Sequence, residues 1–393
     1  MPQEMSTILQ EARRGNAVSL ACALIATPSV NPTLEETGTG EAEIAKLVAG
    51  WLEGWGVSVQ VSEVAPGRWN VVGCLGTPGT GKTLLLNGHL DTVGVLGMTV
   101  DPFRPVIGGG RLWGRGSCDM KGGVAAMLSA VARLAREKLD RGAVYIVLTA
   151  DEEHASIGMQ AALENGLRAD AAVVCEPTSL AIMPAHKGFV WVEASFYGNA
   201  AHGSRSDVGI DAIEHAGQYL ARLRGLRGLL ESRKPHPLLG HGSVHAGTIS
   251  GGSAPSVYPA VCNLVLERRT LPGEDANSVM NEFQSILEDL RKEVPDLTAS
   301  VKATLVRSAT EVEAISPLVE SLMLACKNEL VEVEVHGMTA WVEASLLNEA
   351  GIPAVCFGPG SIGQAHSDDE WIDPQEIEQC ASILEQLARD FLK

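Results

Sequence analysis

Thr83-Leu84-Leu85-Leu86-Asn87-Gly88-His89-Leu90-Asp91-Thr92-Val93-Gly94 decides how this chain folds. The short apolar run from Thr83 to Leu86 reads as a buried strand, because Gly88 and Gly94 break any helix through the segment. The run leads straight into a histidine and an aspartate, His89 and Asp91. In open α/β sheets, sites form in the crevice beyond the carboxyl ends of the strands.

The same pattern recurs three times. Tyr145 to Ala150 leads into Asp151-Glu152-Glu153, Ala172 to Cys175 into Glu176, and Val355 to Gly360 into Gln364-Ala365-His366-Ser367-Asp368. A fifth segment, Gly114 to Gly123, places Asp119 in a glycine-rich turn ahead of a predicted helix. Two histidines with several carboxylates form a nitrogen and oxygen donor set that suits zinc, with cobalt or manganese as substitutes.

Outward from these segments the first half alternates helix and strand. Glu41 to Trp55 and Gly123 to Leu139 read as helices; Asn70 to Leu75, Ala143 to Leu148 and Ala171 to Cys175 read as strands. The middle changes character. Gly188 to Tyr197, Val244 to Ser250, Val257 to Arg269 and Ala299 to Val306 read as strands, and Asp211 to Leu223 and Asp275 to Val294 as helices. That order, β-α-β-β-α-β, is the ferredoxin-like split motif. After about residue 308 the α/β character returns, with a strand at Ala354 to Phe357 and a helix at Pro374 to Leu392. The expected fold is therefore α/β: a catalytic domain with a mostly parallel mixed sheet covered by helices (1–184 and 309–393), interrupted by an inserted α+β domain (185–308).

Composition fits an enzyme of this size and excludes other classes. A length of 393 residues suggests two domains. A formal net charge of -18 offers no electrostatic footprint for nucleic acid or an anionic membrane. No apolar run reaches the roughly 18 residues that span a bilayer, and the first residues show no leader pattern. The eight cysteines include no Cys-x-x-Cys pair and read as reduced, buried thiols of a cytoplasmic protein.

One rival has a sequence argument. Gly76-Thr77-Pro78-Gly79-Thr80-Gly81-Lys82-Thr83 fits the phosphate-binding pattern of nucleotide hydrolases. That loop must open a helix, and here a predicted strand follows. A catalytically dead binding protein would lack a ligand or a base, and none is missing.

Together, Gly88-His89-Leu90-Asp91-Thr92, Gly114-Arg115-Gly116 with Asp119-Met120-Lys121-Gly122-Gly123, Asp151-Glu152-Glu153, Glu176-Pro177-Thr178 and Ala365-His366 resemble the signature of one zinc metallopeptidase family. It contains aminoacylase, acetylornithine deacetylase, succinyl-diaminopimelate desuccinylase and carboxypeptidase G. The resemblance runs nearly the whole length and implies two zinc ions. Asp119 would bridge them, with His89 and Glu176 on one and Glu153 and His366 on the other. Asp91 would orient His89, Glu152 would be the general base, and the bond after Asp119 would be cis. The inserted domain would serve as lid and dimerisation domain of a homodimer. Its His202 would reach the partner's site and steady the oxyanion. Arg269, or its neighbour Arg268, would grip the substrate carboxylate, and Gly360 would lie on the substrate side. The implied reaction is hydrolysis of a small N-acyl amino acid; a dipeptidase or glutamate-type carboxypeptidase is the alternative. Ser256 stands where the family commonly carries Asn, and Val342-Glu343-Ala344 where it often carries Thr-Asp-Ala, so substrate identity stays open. His154, His186, His241 and His245 have no motif support and read as structural or surface residues.

Overall fold

The computed structural model describes residues 2–137 and 139–393. The chain forms two compact units, one of residues up to Pro184 with Val312–His336 and Val342–Lys393, the other of Ala185–Glu311 with Gly337–Trp341.

The first unit is built on a mixed sheet. Its strands lie in the order Ser58–Ala65, Arg68–Thr77, Gly142–Thr149, Thr83–His89, Ala171–Val174, Ala354–Cys356 and Ile182–His186. The middle four are parallel and the outer pairings antiparallel. Thr83–His89 is buried along its whole length, as a strand covered on both faces must be. Register pairs His89 with Thr149, Asn87 with Val174, and Cys356 with Val174. The carboxyl ends of the four parallel strands therefore share one edge.

Helices Ala17–Ile25, Ala42–Gly54, Gly122–Ala135, Pro317–Asn328 and Pro374–Phe391 join alternate strand residues, among them Leu84, Leu86, Val144, Ile146 and Leu148, in one core. Local chemistry starts these helices where expected. Asn16, Ser316 and Asp373 accept backbone N–H groups at N-caps, and Pro317 and Pro374 follow as first-turn prolines. Gly123 instead permits a close approach. A Cβ there would overlap the carbonyl oxygen of Cys175, so glycine lets helix Gly122–Ala135 come up to the strand end that precedes Glu176. The segment Gly76–Thr83 runs from the end of one strand through a turn into the next, with no helix after it. It lacks the helix N-terminus a phosphate loop needs.

The second unit holds a four-stranded antiparallel sheet, ordered Ser243–Gly251, Val261–Thr270, Gly188–Tyr197, Thr298–Arg307. Helices Ala212–Ser232 and Ala276–Glu293 complete the split motif and bury Tyr219, Leu223, Phe283 and Leu287 against it. Two details differ from the expectation. The strand starts at Val261, not Val257, because Pro259 cannot donate to a ladder. The first helix runs nine residues beyond Leu223, since buried Leu226 and Leu230 hold it through Gly225 and Gly228.

Candidate metal centre

The site lies at the shared strand edge of the first unit. His89 ends its strand and is buried. Its Nε2 lies 3.0 Å from Oδ1 of Asp119 and 3.9 Å from Oε1 of Glu176. His366, in a left-handed backbone conformation (φ 61°), brings Nε2 within 3.3 Å of the other Asp119 oxygen and 3.0 Å of Glu153. Asp119 thus stands between two imidazoles, as a bridging ligand must. It sits in a tight turn, Ser117–Lys121, and its bond to Met120 is cis. Ligand atoms of His89, Glu152 and Glu176 cluster within 4.8 Å of one another, and so do those of His89, Asp119 and Glu153.

Electrostatics mark the same residues. Burial, then Asp119, pushes Glu176 up to about 8. Burial also raises Glu152 well above the carboxylate range, against the pull of His89. Burial opposes ionisation of Asp119, but hydrogen bonds to His366 and His89 outweigh it and hold this carboxyl below its usual value. Asp119 and Glu153 lift His366 to about 10. Divalent cations would supply the positive charge that this cluster of buried acids calls for. Buried Oε1 of Glu153 has no hydrogen-bond partner, as fits an atom aimed at a metal. Two imidazoles with carboxylates are the donor set of zinc, cobalt or manganese.

Asp91 orients the site in two ways. Its backbone carbonyl accepts from His89 Nδ1 at 2.9 Å, while its carboxylate lies 3.7 Å from that nitrogen. The carboxylate instead accepts the backbone N–H groups of Glu152 (3.1 Å) and Glu153 (3.3 Å). It therefore braces the turn that carries Glu152 and Glu153.

Several important residues had no role legible in the sequence, although Asp151 lay in a signature segment and Glu343 at a departure from the family pattern. Glu370 is buried and accepts N–H groups from Gly116, Cys118 and Asp119, plus the Arg115 guanidinium at 2.7 Å. Only its place in an acidic run after His366 hinted at it. Arg68, Glu41, Asn31 and Asp151 form a buried network behind Asp91. Glu343 is buried as well, accepting from Thr149 (2.7 Å) and Asn87 (3.1 Å), and burial lifts it to about 7.

Gly360 (φ 82°) donates its N–H to Glu376 at 2.6 Å and accepts from Ser179 at 2.6 Å, so both its backbone groups are committed to the turn. His202 and Arg269 belong to the second unit. His202 is exposed there, its Nδ1 2.9 Å from the Ser204 hydroxyl. Arg268 is fully buried and paired with Glu274 (2.7 Å) and Glu282 (3.0 Å). Arg269 keeps an accessible guanidinium, paired with Glu267 at 2.8 Å beside the Phe189 ring. Of the two, only Arg269 has a solvent-accessible side chain.

Acids gathered around two imidazoles are the donor set of a metal-dependent hydrolase. The chain belongs to peptidase family M20/M25/M40, whose model matches residues 85–390. It is similar to acetylornithine deacetylase of Proteus mirabilis, 33% identical over 382 residues, covering 94% of this chain and 95% of that protein. Its fold matches a Bacillus cereus aminopeptidase (TM-score 0.79, 20% identity, 97% of this chain and 99% of that one). It also matches a Sulfolobus solfataricus metallo-carboxypeptidase of the M20 family (TM-score 0.78, 18% identity, 95% and 99%). The protein is thus a metal-dependent amidohydrolase of linear amides. Among the described residues, no helix is long and apolar enough to cross a membrane.

Proposed function

We propose that this protein is a two-zinc deacylase that releases a small acyl group from an N-acyl amino acid, in the manner of acetylornithine deacetylase. The observation that carries the chemistry is Glu152, grouped with His89 and Glu176 where Asp119 joins the second imidazole. The substrate class rests on the 33% identity to a named deacetylase over nearly the full length.

In this reading His89, Asp119 and Glu176 hold one metal, and Asp119, Glu153 and His366 the other. Bound zinc would supply Lewis acidity to the amide carbonyl and lower the pKa of the attacking water. Glu152 takes the proton from that water as it attacks, then delivers it to the leaving amine. The Asp91 carboxylate fixes the backbone of Glu152 throughout. Arg269 receives the substrate carboxylate and His202 steadies the oxyanion. We place the enzyme in the cytoplasm, a reading supported by eight free cysteines, and as a homodimer.

Amine release from a panel of N-acetyl, N-succinyl and N-formyl amino acids and dipeptides tests the reading. Chelator-sensitive release from acylated amino acids is expected. Release from dipeptides alone would replace the deacylase with a dipeptidase, and no metal bound per chain would overturn the site. Mixing His202→Ala with Glu152→Gln subunits tests the homodimer: regained activity means that His202 acts on the partner.

A further inference from the structure

Asp151 holds a left-handed backbone (φ 68°) just before the base. A non-glycine residue there costs about 1–3 kcal/mol and persists only where its surroundings enforce it. After that reversal Glu152 groups with His89 and Glu176, and Glu153 with His89 and Asp119.

What enforces it is a buried network of the first unit. The Asp151 carboxylate accepts from Arg68 Nη1 at 2.6 Å and from Asn31 Nδ2 at 3.1 Å. Asn31 Nδ2 also reaches the Asp91 carboxylate at 2.8 Å, and that carboxylate accepts the N–H groups of Glu152 and Glu153. On its other side Arg68 forks onto Glu41 through Nε and Nη2. Arg68 is 5% exposed; Asn31, Glu41 and Asp91 are fully buried, and Asp151 nearly so. One guanidinium thus stands among three buried carboxylates, with Nη2 also 3.9 Å from Asp91. Its planar fork grips Glu41 through Nε and Nη2 while Nη1 holds Asp151, a geometry that the compact ammonium of a lysine does not reproduce.

We propose that Arg68 is a positioning residue for hydrolysis: through Asp151 and Asn31 it sets the turn that aims Glu152 at the attacking water and Glu153 at its metal. Arg68 touches neither substrate nor metal. Its effect passes through the backbone, so it bears on turnover and metal affinity, with little effect on substrate binding. This rests on the roles given above to Glu152 and Glu153.

Arg68→Lys keeps a charge and loses the fork. Asn31→Ala leaves the Arg68–Glu41 pair and cuts the bridge between Asp91 and Asp151. Both variants are compared with the full-length wild type by cobalt titration of the metal-stripped protein, read as the absorption of the bound ion, and by steady-state kinetics. Expected are a roughly 10–100-fold loss in cobalt affinity, the magnitude typical of groups behind metal ligands, and a similar fall in kcat with KM within about twofold. Wild-type cobalt affinity and spectrum in both folded variants would overturn the proposal. So would a change in KM alone. If Arg68→Lys does not fold, Asn31→Ala decides by the same readouts. The titration needs no substrate, so it reads the positioning role even if the wild type hydrolyses nothing in the panel, an outcome that counts against the proposed substrate instead.

Discussion

Glu370 accepts the backbone N–H of Asp119 at 3.0 Å across a separation of 251 residues. The same carboxylate gathers the N–H groups of Gly116 and Cys118, so one buried anion shapes the loop that presents Asp119. Glu370→Ala leaves Arg115 a buried cation without its partner, which costs about 3–5 kcal/mol. Denaturant unfolding should show that loss. Glu370→Gln keeps the shape and should retain more stability while losing metal affinity.

Glu152→Gln separates the proton transfer from the metal site. Turnover should fall about 100- to 10,000-fold, the usual contribution of a positioned base. Metal content by elemental analysis should stay at the wild-type value, because the ligands assigned to both metals remain. Loss of both metals together with activity would show Glu152 to be a ligand instead.

Arg268 and Arg269 are neighbours with opposite expectations. Arg268→Met removes a buried guanidinium and leaves Glu274 and Glu282 with Arg233 alone, which should destabilise the protein by about 1–3 kcal/mol. Arg269→Met should change stability by no more than about 0.5 kcal/mol, as for a surface substitution. It should raise KM on the order of tenfold or more, the worth of a lost charged hydrogen bond. Thermal melts and steady-state kinetics on the two variants distinguish the roles.

His186 gives the acid side of the stability profile a specific component. Burial holds it down to about 4, its Nδ1 is bonded to the Lys187 carbonyl, and Nε2 has no partner. The unfolded chain takes up this proton near pH 6.5 and the folded chain only near 4, so stability falls as pH drops through that window. At pH 5 the loss is about 2 kcal/mol. His186→Phe should flatten this part of the profile relative to wild type, measured by unfolding between about pH 4.5 and 7. An unchanged slope would show that His186 does not carry it.

Much of the site was legible in the sequence because the parallel sheet has a simple rule. Apolar runs ending in His89, Asp151-Glu152-Glu153 and Glu176 had to bring those residues to one edge once the strands paired in parallel. His366 was legible at the end of a further apolar run, and Asp119 through its glycine-rich turn. The alternating strands and long helices of the inserted unit were equally readable from periodicity. Other features were settled by tertiary structure. Glu370 beneath Asp119, Arg68 beneath Asp151, and the burial of Arg268 beside an open Arg269 depend on which side chains meet across long separations. Periodicity places a residue on a face or at an end. A buried charge finds its partner only when the folded chain removes water and leaves that partner as the sole means of satisfying it.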